Sequence, residues 1–243
     1  ITPVGGYLES FFPNYKPIYA LTLEGGLEGV WDNTDSGIQA SALFKGTLFI
    51  KNLSVKQTLF LNNNSVLFAD NVTLEKLSVL SGSSVDINNS TVKCDSSIDN
   101  ACVYLEDGGT LDMRKVTLTM DGDGNAVRVI RNSTAEIKES TINRSSSGGV
   151  LGVEYNSSMQ LEDTNVTAAS GEARISFNGY LNLNGGSIKR SSGTPTVNVI
   201  GPSIFYIYNN GTVADVECNG KLAYLDKGSS SAAITNKFGA ECQ

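Results

Sequence analysis

A chain without histidine has no imidazole for a Ser-His-Asp triad or a histidine metal site. Carboxylates, oxygen ligands for calcium and cysteine sulfurs are left to do chemistry. Three acids, Asp86, Asp112 and Glu136, hold the same place in three successive copies of a ten-residue pattern. On neighbouring strands they would stand about 4.8 Å apart, not far from the carboxylate separation of retaining glycosidases. Arg114 and Lys138 follow Asp112 and Glu136 by two residues and would share their face. That makes a solvated column of mixed charge, and the expectation is a protein with no catalytic residues, not an enzyme.

Asp121-Gly-Asp-Gly-Asn125 opens like a calcium loop but lacks the glutamate that completes an EF-hand, because Ala126 and a strand beginning at Val127 come instead. A plain turn is expected, so no cofactor and no metal; Asp121, Asp123 and Asn125 are the ligands to test for calcium. The four cysteines form two local pairs. Cys94 and Cys102 bracket one loop, and Cys218 and Cys242 lie in corresponding loops one repeat apart. Two disulfides, Cys94–Cys102 and Cys218–Cys242, are expected, and with them an oxidising compartment. Ten Asn-x-Ser/Thr sequons, among them those at Asn52, Asn71, Asn89 and Asn165, are by-products of the repeat rather than glycosylation signals.

The elements that carry these residues are copies of Ser133-TAEIKESTI. Copies begin at Gly46, Ser65, Ser83, Gly109, Ser133, Ser157, Gly179 and Ser203, spaced 18 to 26 residues apart. Position 1 is Gly or Ser, positions 3 and 5 are apolar, position 7 is often Asn or Asp, and position 9 is mostly Ser or Thr. Upstream of each copy lie two apolar residues separated by one outward residue, such as Leu77/Val79, Val127/Val129 and Val197/Val199. The unit reads as a short strand, a tight turn, a longer strand bent near position 7, and a loop of variable length. One unit cannot bury its own apolar face, so identical units must stack. Asn at the bend suits a left-handed corner, where its amide can bond the next rung's Asn.

The expected fold is all-β, a right-handed parallel β-helix (a single-stranded solenoid) of about eight to nine rungs. Residues 1–45 form an N-terminal cap and 46–243 the helix. The cap holds Pro3, Pro13, Pro17, Trp31 and the cluster Phe11, Phe12, Tyr15 and Tyr19, and Phe49 and Phe68 mark the face it covers. Ala223 and Leu225 read as the short strand before a degraded ninth copy at Ser229. The lack of an evident polar cap there points to a helix cut at its C-terminal end.

Net charge is −7, which argues against nucleic acid or an anionic membrane as partner. No apolar run approaches the length of a membrane span, and Ile1-Thr-Pro-Val lacks the features of a signal peptide.

Ala126-VRVIRNSTAEIKESTI142 and Met159-QLEDTNVTA168 resemble rungs of pertactin-like autotransporter passengers, a likeness of repeat grammar over roughly 46–212. It implies a secreted or bacterial cell-surface adhesin, exported through an outer-membrane barrel that this chain does not contain. Attachment, aggregation or biofilm formation would follow, with a host surface protein, a glycan or a second copy as partner. The family's Arg-Gly-Asp tripeptide and its relatives' Gly-Asp-Ser-Gly protease motif are both absent, so no binding residue carries over. The alternative is a polysaccharide-binding or polysaccharide-cleaving β-helix such as a phage tailspike or receptor-binding spike.

Overall fold

The computed structural model describes residues 20–24, 30–31, 47–52, 54–95, 101–193, 195–219, 223–228 and 233–238. All regular elements among them are strands, and all pair in parallel. The chain is a parallel β-solenoid. Period-two alternation builds it: in Val66–Asp70 and Thr110–Arg114 the even positions of each strand are buried and the odd ones face out.

The ten-residue copies form one ten-stranded sheet from Ala20–Glu24 to Ala223–Lys227, here the first face. Its interior carries two unbroken files. Leu48, Leu67, Val85, Leu111, Ala135, Met159, Leu181 and Phe205 lie in register, and Ile50, Ala69, Ile87, Met113, Ile137, Leu161, Leu183 and Ile207 run beside them. All are buried, so each residue packs on its counterpart above and below. Eight copies give eight of the ten strands. The remaining two are Ala20–Glu24, which pairs with Thr47–Lys51 inside the segment assigned to the cap, and Ala223–Lys227. Trp31 of that segment lies in the strand Val30–Trp31, which pairs with Ser54 and Val55; Pro3, Pro13, Pro17, Phe11, Phe12, Tyr15 and Tyr19 lie outside the described residues.

Ala223–Lys227 corrects the phase of the last copy. Ala223 and Leu225 pair with Ser203 and Phe205 on the first face, while Ala233–Phe238 pairs with Thr212–Asn219 on the other sheet. The pair belongs to the block strand itself. Its apolar-x-apolar pattern is common to both kinds of strand, so spacing alone could not separate them.

The second sheet holds two faces. Ser54–Leu61, Thr73–Val79 and Thr212–Asn219 run through both. Between them each rung is interrupted by a loop, giving pairs such as Thr117–Asp121 with Asn125–Val129 and Asn165–Ala168 with Ala173–Ser176. The second face lies before the loop and the third after it. Leu59, Leu77, Val103, Val127, Leu151, Ala173 and Val197 stack in register on the third face, as the upstream pairs predict.

Two corners close the rung, each with left-handed backbone. At position 7, Asn52, Asn71, Asn89, Lys115, Glu139, Asp163, Gly185 and Asn209 all have positive φ. Asn71 Nδ2 donates to Asn52 Oδ1 at 2.8 Å, the rung-to-rung bond expected of stacked corner amides. Before Ser203 stands Gly201–Pro202 with a cis peptide bond, and before the six blocks from Ser65 to Gly179 two consecutive residues have positive φ, as in Asn63–Asn64 and Arg131–Asn132. Both central residues of a type I′ turn have this sign. The Gly or Ser of position 1 follows. There Ser65 N donates to Ser83 Oγ at 3.1 Å, and a Cβ on Gly179 would lie 2.1 Å from Val153 O. Only a very small residue fits.

Candidate functional site

Because strands on the first face pair without offset, outward residues form straight rows along the rod. The row through Phe49 and Phe68 continues as Asp86, Asp112, Glu136, Gln160, Asn182, Tyr206 and Asp226. The sequence's three acids are therefore brought together on three successive strands. Asn88 Nδ2 donates to Asp86 Oδ1 at 2.5 Å, and Lys138 Nζ lies 2.8 Å from Glu136 Oε1. Arg114 turns to the corner, donating to Glu139 Oε1 from Nε at 2.9 Å and Nη2 at 2.6 Å. Asp112 stands between two partnered acids. Burial raises its pKa first, Lys138 opposes that, and the charges of Glu136 and Asp86 add to it. The trio lies on an open sheet face with a cation built into it.

Farther along, the row turns aromatic. Tyr180 and Tyr206 have ring centroids 5.3 Å apart, and Tyr206 and Tyr208 lie nearly parallel at 5.8 Å. Burial raises the Tyr180 pKa, with the neighbouring Tyr208 and Tyr206 adding to it. Asn182 and Asn184 pair with Tyr206 and Tyr208 on the adjacent strand, so amides flank the rings. None of these three tyrosines is among the candidate residues of the sequence analysis. The signal was present: Tyr180, Tyr206 and Tyr208 hold positions 2, 4 and 6 of their copies, all outward by the same alternation that buries positions 3 and 5.

Phe49 and Phe68 stack with centroids 5.0 Å apart, and a cavity of about 410 Å³ extends from them past Asp70 to Asp86. The opposite edge carries another aromatic pair at the third-face corner. Tyr155 and Phe177 stack at 4.6 Å with ring planes 2° apart. Both are exposed and have positive φ, a conformation rare for bulky side chains.

The calcium candidates fall at a loop that holds a cation of its own. Asp121 ends one strand and Asn125 begins the next, with Asp123 exposed between them. The side chain of Arg144 is buried there, donating to Gly122 O and Ser146 O. Burial lowers its pKa, opposed by the charges of Asp123 and Asp121. Among the described residues no group of three His, Cys, Asp or Glu is placed to hold a metal.

Cys94 and Cys102 form a disulfide with Cα atoms 5.8 Å apart. Cys218 is also disulfide-bonded; its expected partner, Cys242, lies outside the described residues. No described helix is long and apolar enough to cross a membrane, which says nothing of a β-barrel.

Comparison with protein-family models, curated proteins and solved structures gives no match.

Proposed function

We propose that this chain is a non-enzymatic adhesin rod of the pertactin-like passenger type, displayed or secreted by a bacterium, and that its first face binds a glycan. The Tyr180, Tyr206 and Tyr208 cluster carries this reading. Ring faces stack on the apolar faces of sugars, while the flanking Asn182, Asn184 and Gln160 amides can donate to and accept from hydroxyls. Rows repeated about every 4.8 Å give a long ligand many weak contacts, which add when engaged together. A rigid stack also presents them with little ordering cost.

The test is binding of purified chain to a panel of immobilised glycans, with self-association followed by sedimentation. Tyr206→Ala should cut glycan retention by about tenfold, the loss of one ring contact, while the thermal midpoint stays near that of the parent. Unchanged retention in Tyr206→Ala removes the first face as the binding surface.

The raised pKa of Asp112 beside Glu136 favours a second reading, cleavage of a bound polysaccharide with Asp112 as the acid. It predicts a fall in polysaccharide chain length on incubation. Asp112→Asn combined with Glu136→Gln would then abolish that fall; cleavage that survives the double substitution excludes this pair.

A further inference from the structure

The third face carries a site unlike anything on the first. Its outward row reads Tyr104, Arg128, Gly152, Arg174, Asn198, one residue per rung in register. Gly152 separates two arginines that stand two rungs, about 10 Å, apart, and Arg128 Cγ, Asn125 Nδ2 and Glu154 Oε1 pack over it. Arg128 and Arg174 line a cavity of about 500 Å³ together with Arg190, Glu154, Glu172 and Asn125.

Three arginines against two glutamates leave one positive charge in a protein whose net charge is −7. The arginines are incompletely used. Arg128 Nη2 lies 3.2 Å from Glu154 Oε2, but its buried Nε has no partner. Arg190 Nη1 donates to Pro195 O at 2.6 Å, and its Nε is likewise buried and unpaired. Arg174 is exposed and makes no ion pair among the described residues. The other walls suit hydroxyls: Glu154 and Glu172 accept, and the Asn125 amide does both.

We infer that this cavity binds an acidic sugar unit, a hexuronate within a glycan. Its carboxylate sits between Arg174 and Arg128, and its hydroxyls face Glu154, Glu172 and Asn125. Guanidinium takes a carboxylate through paired N–H donors. A phosphate monoester, with close to two charges, would meet the two glutamates, whereas one carboxylate matches the single excess charge. The inference deepens the glycan-binding reading but uses a different face, so the two fail separately.

The test is calorimetric titration of the chain with trigalacturonate, its fully methyl-esterified form and a sulfated trisaccharide. Trigalacturonate should bind, and the neutral ester at least about tenfold more weakly, the cost of losing a charge-assisted contact. Arg174→Gln should weaken trigalacturonate by a similar factor. Gly152→Val, whose side chain would press on Arg128, Asn125 and Glu154 while the alternating strand pattern is kept, should weaken it too. Circular dichroism would show that both variants fold. Equal binding of acid and ester, tighter binding of the sulfated sugar, full affinity in Arg174→Gln, or no binding at about 10 mM, a contact weaker than any built site, would each overturn the assignment.

Discussion

Asp112 lies in register beside Asp86 on the neighbouring strand, its carboxylate held above its ordinary pKa by burial. The sign of the consequence is fixed. A raised folded pKa means that the folded state carries an unfavourable carboxylate at neutral pH and is relieved of it as pH falls through that pKa. Asp112→Asn should therefore stabilise the protein at pH 7, by less than about 1 kcal/mol because the side chain reaches solvent. The advantage should shrink to nothing below about pH 4. Urea denaturation across that range measures it. Asp70, whose pKa is lowered first by the Asn89 hydrogen bond and then by Lys51, carries the opposite sign: its contribution fades as pH falls through the lowered value.

Gly179 and Gly152 should respond differently to the same change. A Cβ at Gly179 would lie 2.1 Å from Val153 O, a backbone atom that cannot step aside. At Gly152 the nearest atom would be Arg128 Cγ at 3.2 Å, on a flexible side chain. Gly179→Ala should cost about 1–3 kcal/mol and Gly152→Ala under about 1 kcal/mol, read from chemical denaturation.

Lys115 takes the left-handed corner at φ 55°, where Asn52, Asn71 and Asn89 do the same in other rungs. Lysine has no local hydrogen bond with which to offset that conformation, and its contact with Glu139 Oε2 is long, at 3.8 Å, and exposed. Lys115→Asn should raise stability by about 0.5 kcal/mol, visible as a higher denaturation midpoint.

Reduction of Cys94–Cys102 frees a short loop in the unfolded chain. In the chain-entropy account this costs about 2–3 kcal/mol. Thermal scans of Cys94→Ala/Cys102→Ala should show it, with rung register unchanged by hydrogen exchange.

The solenoid was legible in the sequence because alternation at positions 3 and 5 recurs without a break from Leu48 to Ile207. One residue of slippage would have exposed the whole file. The corner at position 7 was legible where Asn marks it and invisible at Lys115 and Glu139, whose side chains give no sign of left-handed backbone. The arginine cavity escaped notice for another reason. Arg128, Gly152 and Arg174 are the outward residues between paired apolar ones, and attention to the buried pair passes over them. Arg144 was equally hidden: Asn143-RSSSGG reads as a polar loop, yet its arginine is buried and fastens two loops together.

Rung-to-rung bonds such as Thr91 N to Val72 O and Thr141 N to Val116 O all run along the rod's length. A pull applied to its two ends thus opens these bonds one rung after another instead of shearing a whole ladder at once. Each coil touches only its neighbours, so under load the molecule should release chain in small steps of one coil each, like a spring that yields from its tips.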